Sequence, residues 1–279
     1  METISCKICN SNNTHAYFLG NTELIKCANC DIVYNKNTSI EEENKYYKEN
    51  YTLRKNTISL QSELRRLSRF PEQLKLIADI NHYKKTPANL TDIGCDKGYF
   101  IDDARRFGYT VFGVELSEDA RKYTEQLNLK VFDDIKQVPE KTDAVTMWHS
   151  LEHFSEPQLF LKELHQQLNN DAYLFIRVPD FGCFFSKILR HKWRWFQPHN
   201  HYFHYTKKSL TKLFELAGYK VIKCVSQDPS NQLTDEAFHL ADDTLRQYFN
   251  EKAPLRYKVG TTYERFTCRE LYLIATNKK

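Results

Sequence analysis

Glycine and proline are scarce, eight of each in 279 residues, and there are only two methionines. That scarcity excludes collagen-like, linker-like and low-complexity chains, which carry roughly a quarter or more of Gly and Pro. An excess of one charge is also missing. Forty Lys and Arg against 36 Asp and Glu leave +4, too little for a nucleic-acid coat or a polybasic membrane anchor. No apolar run approaches the ~20 residues that span a bilayer, and the start METISCKICN lacks the apolar core of a signal peptide. A cytoplasmic protein without membrane contact is expected. What is present is apolar mass: AVILMFWYC make up 41% of the chain, with 17 Tyr and 18 Phe. Most of the chain therefore folds, and its length suggests about two domains at ~150 residues each.

Four of the eight cysteines form two Cys-x-x-Cys pairs, Cys6/Cys9 and Cys27/Cys30, separated by seventeen residues. That is the spacing of a four-cysteine zinc ribbon, in which two tight turns present four thiolates to one tetrahedral ion. Residues 1–38 hold too few apolar side chains to close a core unaided, so a structural Zn on Cys6, Cys9, Cys27 and Cys30 is expected to supply the missing stability. A thioredoxin-like redox pair needs a βαβ context that is absent here. The other four, Cys95, Cys183, Cys224 and Cys268, are scattered singly, as reduced and packed thiols are.

Residues 39–86 read as a helical connector, with Leu60, Leu64, Leu67 and then Leu74, Ile77, Ile80 at helical spacing and Pro71 dividing two helices. Its basic surplus reads as a solvated helix face. From 87 to 279 short apolar strands alternate with helical stretches: NLTDI, TVFGVEL, KVF, AVTMW, YLFIRV, YKVIKCV and RELYLIAT make seven strands. Alternation of this kind indicates βαβ units and an α/β domain built on a parallel sheet. Residues 227–268 read as an insertion before the last strand, with a helix around 235–249.

NLTDIGCDKGYF places Gly94 and Gly98 after an apolar strand and before a helix, and Glu115 ends the next strand 23 residues after Asp92. This is a nucleoside-binding arrangement. A dinucleotide would require Gly-x-Gly-x-x-Gly, yet Asp96 and Tyr99 occupy the second and third glycine positions. NAD and FAD are disfavoured, and a ligand without phosphates is expected. Asp92-Ile93-Gly94-Cys95-Asp96-Lys97-Gly98 resembles motif I of class I S-adenosylmethionine (SAM) methyltransferases, D-x-G-C-x-x-G, with Asp96 where a glycine is common. The resemblance continues through GVELSEDA, FDDI, TDAVTMWHSLEHFSEP, YLFIRVPD and SLTKLFELAGYKV, although the turn before strand five, NNDAY, is not Gly-rich.

With the N-terminal cysteines, the chain is similar to the zinc-ribbon methyltransferases that include sugar C-methyltransferases and polysaccharide-locus enzymes. The resemblance implies a Rossmann-like, seven-stranded, mostly parallel sheet with helices on both faces, over about 88–226. It also implies that Asp92, Gly94, Cys95 and Gly98 hold SAM, that Glu115 accepts from the ribose hydroxyls, and that Asp134 or alternatively Asp133 takes the adenine amino group. His149 is implied to lie beside the sulfonium. By themselves, a Gly-x-x-x-Gly turn is weak and a lone acidic residue after a strand caps a helix. His153 is expected to hydrogen-bond its own loop.

Between Asp180 and Lys212 there are seven Lys or Arg, one acidic residue, four of the ten histidines and two of the three tryptophans. The segment follows strand five on the carboxyl edge, where open α/β sheets bind ligands. It resembles the family's substrate loop, which implies that His201 is the catalytic histidine and general base, with His149 a second candidate. A metal on His199, His201 and His204 is disfavoured by their spacing, and Phe184, Phe185 and Phe203 are expected to pack in the core. The expected activity is SAM-dependent methylation, at carbon or oxygen, of a small sugar or nucleotide-sugar acceptor. An RNA acceptor, or a SAM-binding pseudoenzyme, are the alternatives.

Overall fold

The computed structural model describes residues 4–36, 39–41, 43, 73–86, 88–227 and 269–278. Residues 73–83 are helical, as the Leu74, Ile77, Ile80 spacing predicts. The division at Pro71 and, apart from Gln227, the 227–268 insertion with its helix lie outside the described residues.

Near the N-terminus β1 (Thr14–Leu19) and β2 (Thr22–Cys27) form a hairpin in which Leu19 faces Thr22, and β3 (Val33–Tyr34) pairs back onto β2. The large sheet then begins with β4 (Asn89–Ile93), β5 (Thr110–Val114), β6 (Val131–Phe132), β7 (Thr142–Trp148) and β8 (Leu168–Pro179). A two-residue strand, β9 (Phe203–His204), leaves it, and β10 (Lys220–Gln227) and β11 (Glu270–Thr276) complete it. All seven strands expected from the alternating pattern are present, in the order β10-β11-β8-β7-β4-β5-β6. Pairs from β8 to β6 are parallel, whereas β11 runs antiparallel between β8 and β10.

The chain starts in mid-sheet at β4, moves outward through β5 and β6, and returns to β7 on the other side of β4. Where the direction of winding reverses, the loops after β4 and β7 part and leave a crevice at the carboxyl edge. The last strand is buried along its whole length, which its run ELYLIAT explains, since a strand covered on both faces needs no polar alternation.

Helices Tyr99–Arg106, Glu118–Glu125, Pro157–Leu164 and Lys207–Leu216 follow β4, β5, β7 and β9 respectively. Ser117 caps the second by accepting from the Ala120 amide, and Thr206 with Ser209 forms a capping box on the fourth. After β7 the α-helix Pro157–Leu164 gives way to a 3₁₀ turn over His165–Gln167, and Leu168 already belongs to β8.

The cysteine-rich segment packs against the larger domain. Val33 and Tyr34 pair with His204 and Phe203, so β9 becomes the fourth strand of the N-terminal sheet. Ile8, Ile25, Ile32 and Tyr34 belong to the same continuous core as Ile176, Leu210 and Leu273. The missing core is supplied by the larger domain. Of the phenylalanines expected inside, Phe203 is buried but Phe184 is 68% exposed, because its short helix Phe184–Leu189 lies at the surface with only Ser186 buried.

Ile176, fully buried at the centre of β8, offers a test of this packing. Ile176→Ala should cost about 2–5 kcal/mol of unfolding free energy in a denaturant titration. A cost within the range of surface substitutions would show that β8 is not central.

Candidate functional site

The turn after β4 is built for close approach. Gly94 has φ +78°, and a Cβ there would lie 2.6 Å from Cβ of Ser150. Ser150 in turn donates to the Ile93 carbonyl at 2.7 Å, locking the β4 and β7 loops together. Gly98, also left-handed, precedes the helix Tyr99–Arg106, and a Cβ there would meet Leu129 at 2.7 Å. Only glycine meets both demands.

Two cavities open from this turn and share Gly94. The larger, about 460 Å³, is lined by Gly94, Glu115, Leu116, Asp133, Asp134, Ile135, Ser150 and His153, with Phe154, Leu159 and Phe160 on its apolar side. Glu115 is buried, and its two oxygens accept from the amides of Asp96 (3.0 Å) and Ser117 (2.9 Å). These bonds fix the carboxylate and leave further lone pairs for a ligand. Asp134 Oδ1 accepts from the Lys136 amide, while Asp133 is engaged at both oxygens, by Gln137 (2.6 Å) and Arg121 (3.9 Å). Asp134 is thus the freer of the two.

The smaller cavity, about 230 Å³, is lined by Asp92, Cys95, Asp96, Lys97, Trp148, His149 and Trp195 among others. Asp92 accepts a 2.6 Å bond from Thr146. Burial pushes its carboxyl up to about 7, opposed by the Thr146 bond and assisted by the Glu115 charge. The structure therefore brings Asp92, Gly94, Cys95, Glu115, Asp134 and His149 to the two cavities. Gly98 lines neither and acts through the turn.

His149 is the centre of a buried ionic cluster. Its backbone is left-handed (φ +52°), and its ring stacks on Trp195 at 4.8 Å. Nε2 lies 2.9 Å from Glu270 and Nδ1 3.4 Å from Glu152. Burial opposes the imidazolium, but the Glu270 charge and the contacts with Glu152 outweigh it and hold the pKa at about 9. Glu152, despite burial, is drawn down to about 2 by His149 and its neighbours. Arg177 completes the set, its Nε 3.4 Å from Glu270 and its guanidinium 4.3 Å above the Trp148 ring. Glu152, Arg177 and Glu270 escape motif reasoning. For two of them the signal was a lone charge on an otherwise apolar strand, Arg177 in YLFIRV and Glu270 at the head of ELYLIAT.

His149 is therefore a cation at neutral pH, unsuited to take a proton. His201 lines neither cavity; it is buried, and burial lowers its pKa to about 4, which keeps the ring neutral. The His153 amide donates within its own loop, to the Ser150 carbonyl, but its ring reaches the carbonyl of Asn200, 47 residues on, at 2.8 Å. The fold brings those two loops together at the carboxyl edge.

Near the N-terminus the four sulfurs converge. Cys6 and Cys30 Sγ lie 3.7 Å apart, Cys9 and Cys27 3.6 Å, and all four fall within 4.8 Å of one another. Bonds of ~2.3 Å to a tetrahedral ion imply S···S edges of about 3.8 Å. The donor set fits a thiophilic ion with no open position.

Residues 61–224 match the family described as Methyltransferase domain. No curated protein matches the chain. Among solved structures, the plantazolicin methyltransferase BpumL, in complex with a pentazolic desmethylPZN analog and SAH, is similar with a TM-score of 0.56 at 17% identity, over 86% of this chain and 98% of that one. Its counterpart BamL gives 0.52 at 15%, over 85% and 91%. A chain from the complex of the Haloferax volcanii Trm112 methyltransferase activator with a methyltransferase gives 0.52 at 15%, over 85% and 98%. At these identities the likeness is one of fold.

Asp92 provides a pH-dependent test. Its folded carboxyl keeps a proton up to about 7, whereas an unfolded Asp releases it near ~3.9. The wild type therefore loses stability as pH rises between those values. Asp92→Asn should be more stable than the wild type by roughly 1–4 kcal/mol at pH 8, and the gap should close as pH falls from 7 to 4. Paired denaturant titrations at several pH values check this; a gap independent of pH would show that Asp92 is ionised throughout.

Proposed function

The chain belongs to the methyltransferase-domain family and is a SAM-dependent methyltransferase, and from that premise we propose that it methylates a small, sugar-linked acceptor at carbon or oxygen. The observation that carries this reading is the pair of cavities meeting at Gly94. In the larger one Glu115 is placed to accept from two ribose hydroxyls, and Asp134, the less engaged of the two aspartates, to accept from the adenine amino group. In the smaller one Asp92 and Asp96 supply carboxylates for an ammonium and Lys97 a cation for a carboxylate, which suits the amino-acid end of the cofactor.

When bound, SAM supplies a methyl group on a sulfonium, with its leaving group built in. The remaining task is to position the acceptor in line and exclude water. Trp148, Trp195 and the His149 ring form the aromatic wall on which a sugar face packs. Support for the small-molecule reading lies in the small size of this cavity, about 230 Å³; an RNA strand needs an open basic groove with exposed stacking platforms.

Calorimetry and a transfer assay test the reading. SAM and SAH should bind, and Glu115→Ala should weaken both by about 1–3 kcal/mol, since ribose hydroxyls would lose a buried acceptor. NADH should not compete. Trp195→Ala should lower methyl transfer to nucleotide-sugars more than it lowers SAH affinity. Methyl label appearing on RNA, with binding that weakens steeply in salt, would replace the sugar by a nucleic acid. Failure of SAH to bind would falsify the cofactor assignment, and binding without transfer to any acceptor would favour a sensing protein.

We also propose that the four-cysteine cluster holds a structural Zn. Wild-type protein should carry one zinc more per chain than Cys6→Ser/Cys27→Ser by elemental analysis. Because β3 pairs with β9, chelation of this ion should raise hydrogen exchange at residues 33–34 and also at 203–204, while β7 and β8 stay protected. Unchanged exchange at 203–204 would show that the two segments are not coupled.

A further inference from the structure

A second group of metal-ligating side chains lies beside the larger cavity. Glu152 and His153 belong to the 3₁₀ turn Leu151–His153 after β7, and His201 comes from the loop that leads into β9. One donor atom from each lies within 4.8 Å of the others. Glu152 is 1% exposed, and neither of its carboxylate oxygens has a hydrogen-bond partner among the described residues. The cation beside it, His149, is shared with Glu270, which it approaches more closely (2.9 against 3.4 Å). A buried carboxylate so poorly supplied with donors is costly. A cation would satisfy it.

The two imidazoles are already set for one. Nδ1 of His153 lies 2.8 Å from the Asn200 carbonyl, and Nδ1 of His201 lies 2.9 Å from the Trp195 carbonyl. A carbonyl can only accept, so Nδ1 carries the proton on both rings and Nε2 is left as the ligating nitrogen. An imidazole anchored through Nδ1–H to a backbone carbonyl is the common arrangement of metal-ligating histidines, because it fixes both tautomer and ring plane. The rings meet edge to face at 4.8 Å. Around them His204 Nε2 and the Tyr205 hydroxyl, also buried, have no hydrogen-bond partner among the described residues.

We propose that Glu152, His153 and His201 form a divalent-cation site, separate from the four cysteines. Two imidazoles and one carboxylate suit Zn²⁺ or a neighbouring first-row ion and are a poor match for Ca²⁺, which takes oxygen ligands. Bonds of ~2.1 Å imply donor separations of roughly 3.0–3.5 Å, so the three groups draw together on binding. Three protein ligands leave coordination positions open. His153 also lines the 460 Å³ cavity, and the open side of the ion offers a place for an acceptor oxygen; that role rests on the methyltransferase reading, whereas the cation site does not. His199 and His204, weighed with His201 as a metal set on sequence grounds, are not members.

The test counts metal on the full chain with the cysteine ion in place. Wild type, His153→Ala and His201→Asn are dialysed against Zn²⁺ buffers, and bound metal, melting temperature and SAH affinity are measured on the same samples. The wild type should hold one Zn²⁺ equivalent beyond the cysteine site and show a Zn²⁺-dependent rise in Tm. Each variant should keep the cysteine ion, bind the second at least about tenfold more weakly, and lose the Tm response. Circular dichroism confirms that the variants fold, and Glu152→Gln supplies a third arm if one histidine variant does not. No second equivalent at millimolar Zn²⁺, or one that persists in all folded variants, overturns the site. SAH failing to bind while the second ion is held would sink the methyltransferase reading and leave the cation site standing.

Discussion

The contact between His149 and Glu270 determines how the crevice is assembled. It joins the loop after β7 to the first residue of β11, 121 positions later, and it holds the buried Glu270 carboxylate against a half-buried imidazole. Two such charges are retained only if each keeps its partner, since removing one leaves an uncompensated buried charge at a cost of about 3–5 kcal/mol. The antiparallel course of β11 makes the contact possible. It places Glu270 beside Pro179, at the end of β8, instead of at the far edge of the sheet. Arg177 and Glu152 then close the cluster around it.

This constraint orders the aromatic wall as well. With His149 held from two sides by carboxylates, its ring plane is fixed, and Trp195 stacks on it at an interplanar angle of 13°. Trp148, Arg177 and Tyr272 stand in register across β7, β8 and β11, so the guanidinium lies between two rings. A pocket wall made this way is rigid without depending on loop length. Such preorganisation is what in-line transfer requires.

The N-terminal cysteines connect to the same place by a different route. Through β3 and β9 the small sheet grips Phe203 and His204, and the segment just before them carries Trp195 and His201. Whatever stabilises the four-sulfur cluster therefore also stabilises one wall of the crevice. The cysteine-rich sheet thus braces the site through β9.

Much of the architecture was legible in the residues because it is local. Strand, turn and helix follow from apolar periodicity over a few positions, and the Gly94 turn, Glu115 and the Asp133–Asp134 pair sit at strand ends that such periodicity locates. The cysteine spacing likewise encodes its own geometry. What sequence could not convey are contacts between distant segments: β11 entering antiparallel beside β8, β3 pairing with β9, and His153 reaching the Asn200 carbonyl. Those depend on which apolar faces are covered together, and the choice is made by the whole core at once. For the same reason the sequence did not show that His201 is a buried ring beside Glu152. Residue type and spacing made the fold and the methyltransferase motifs legible, whereas burial and charge pairing, which exist only in the folded chain, decided the protonation of His149 and the place of His201.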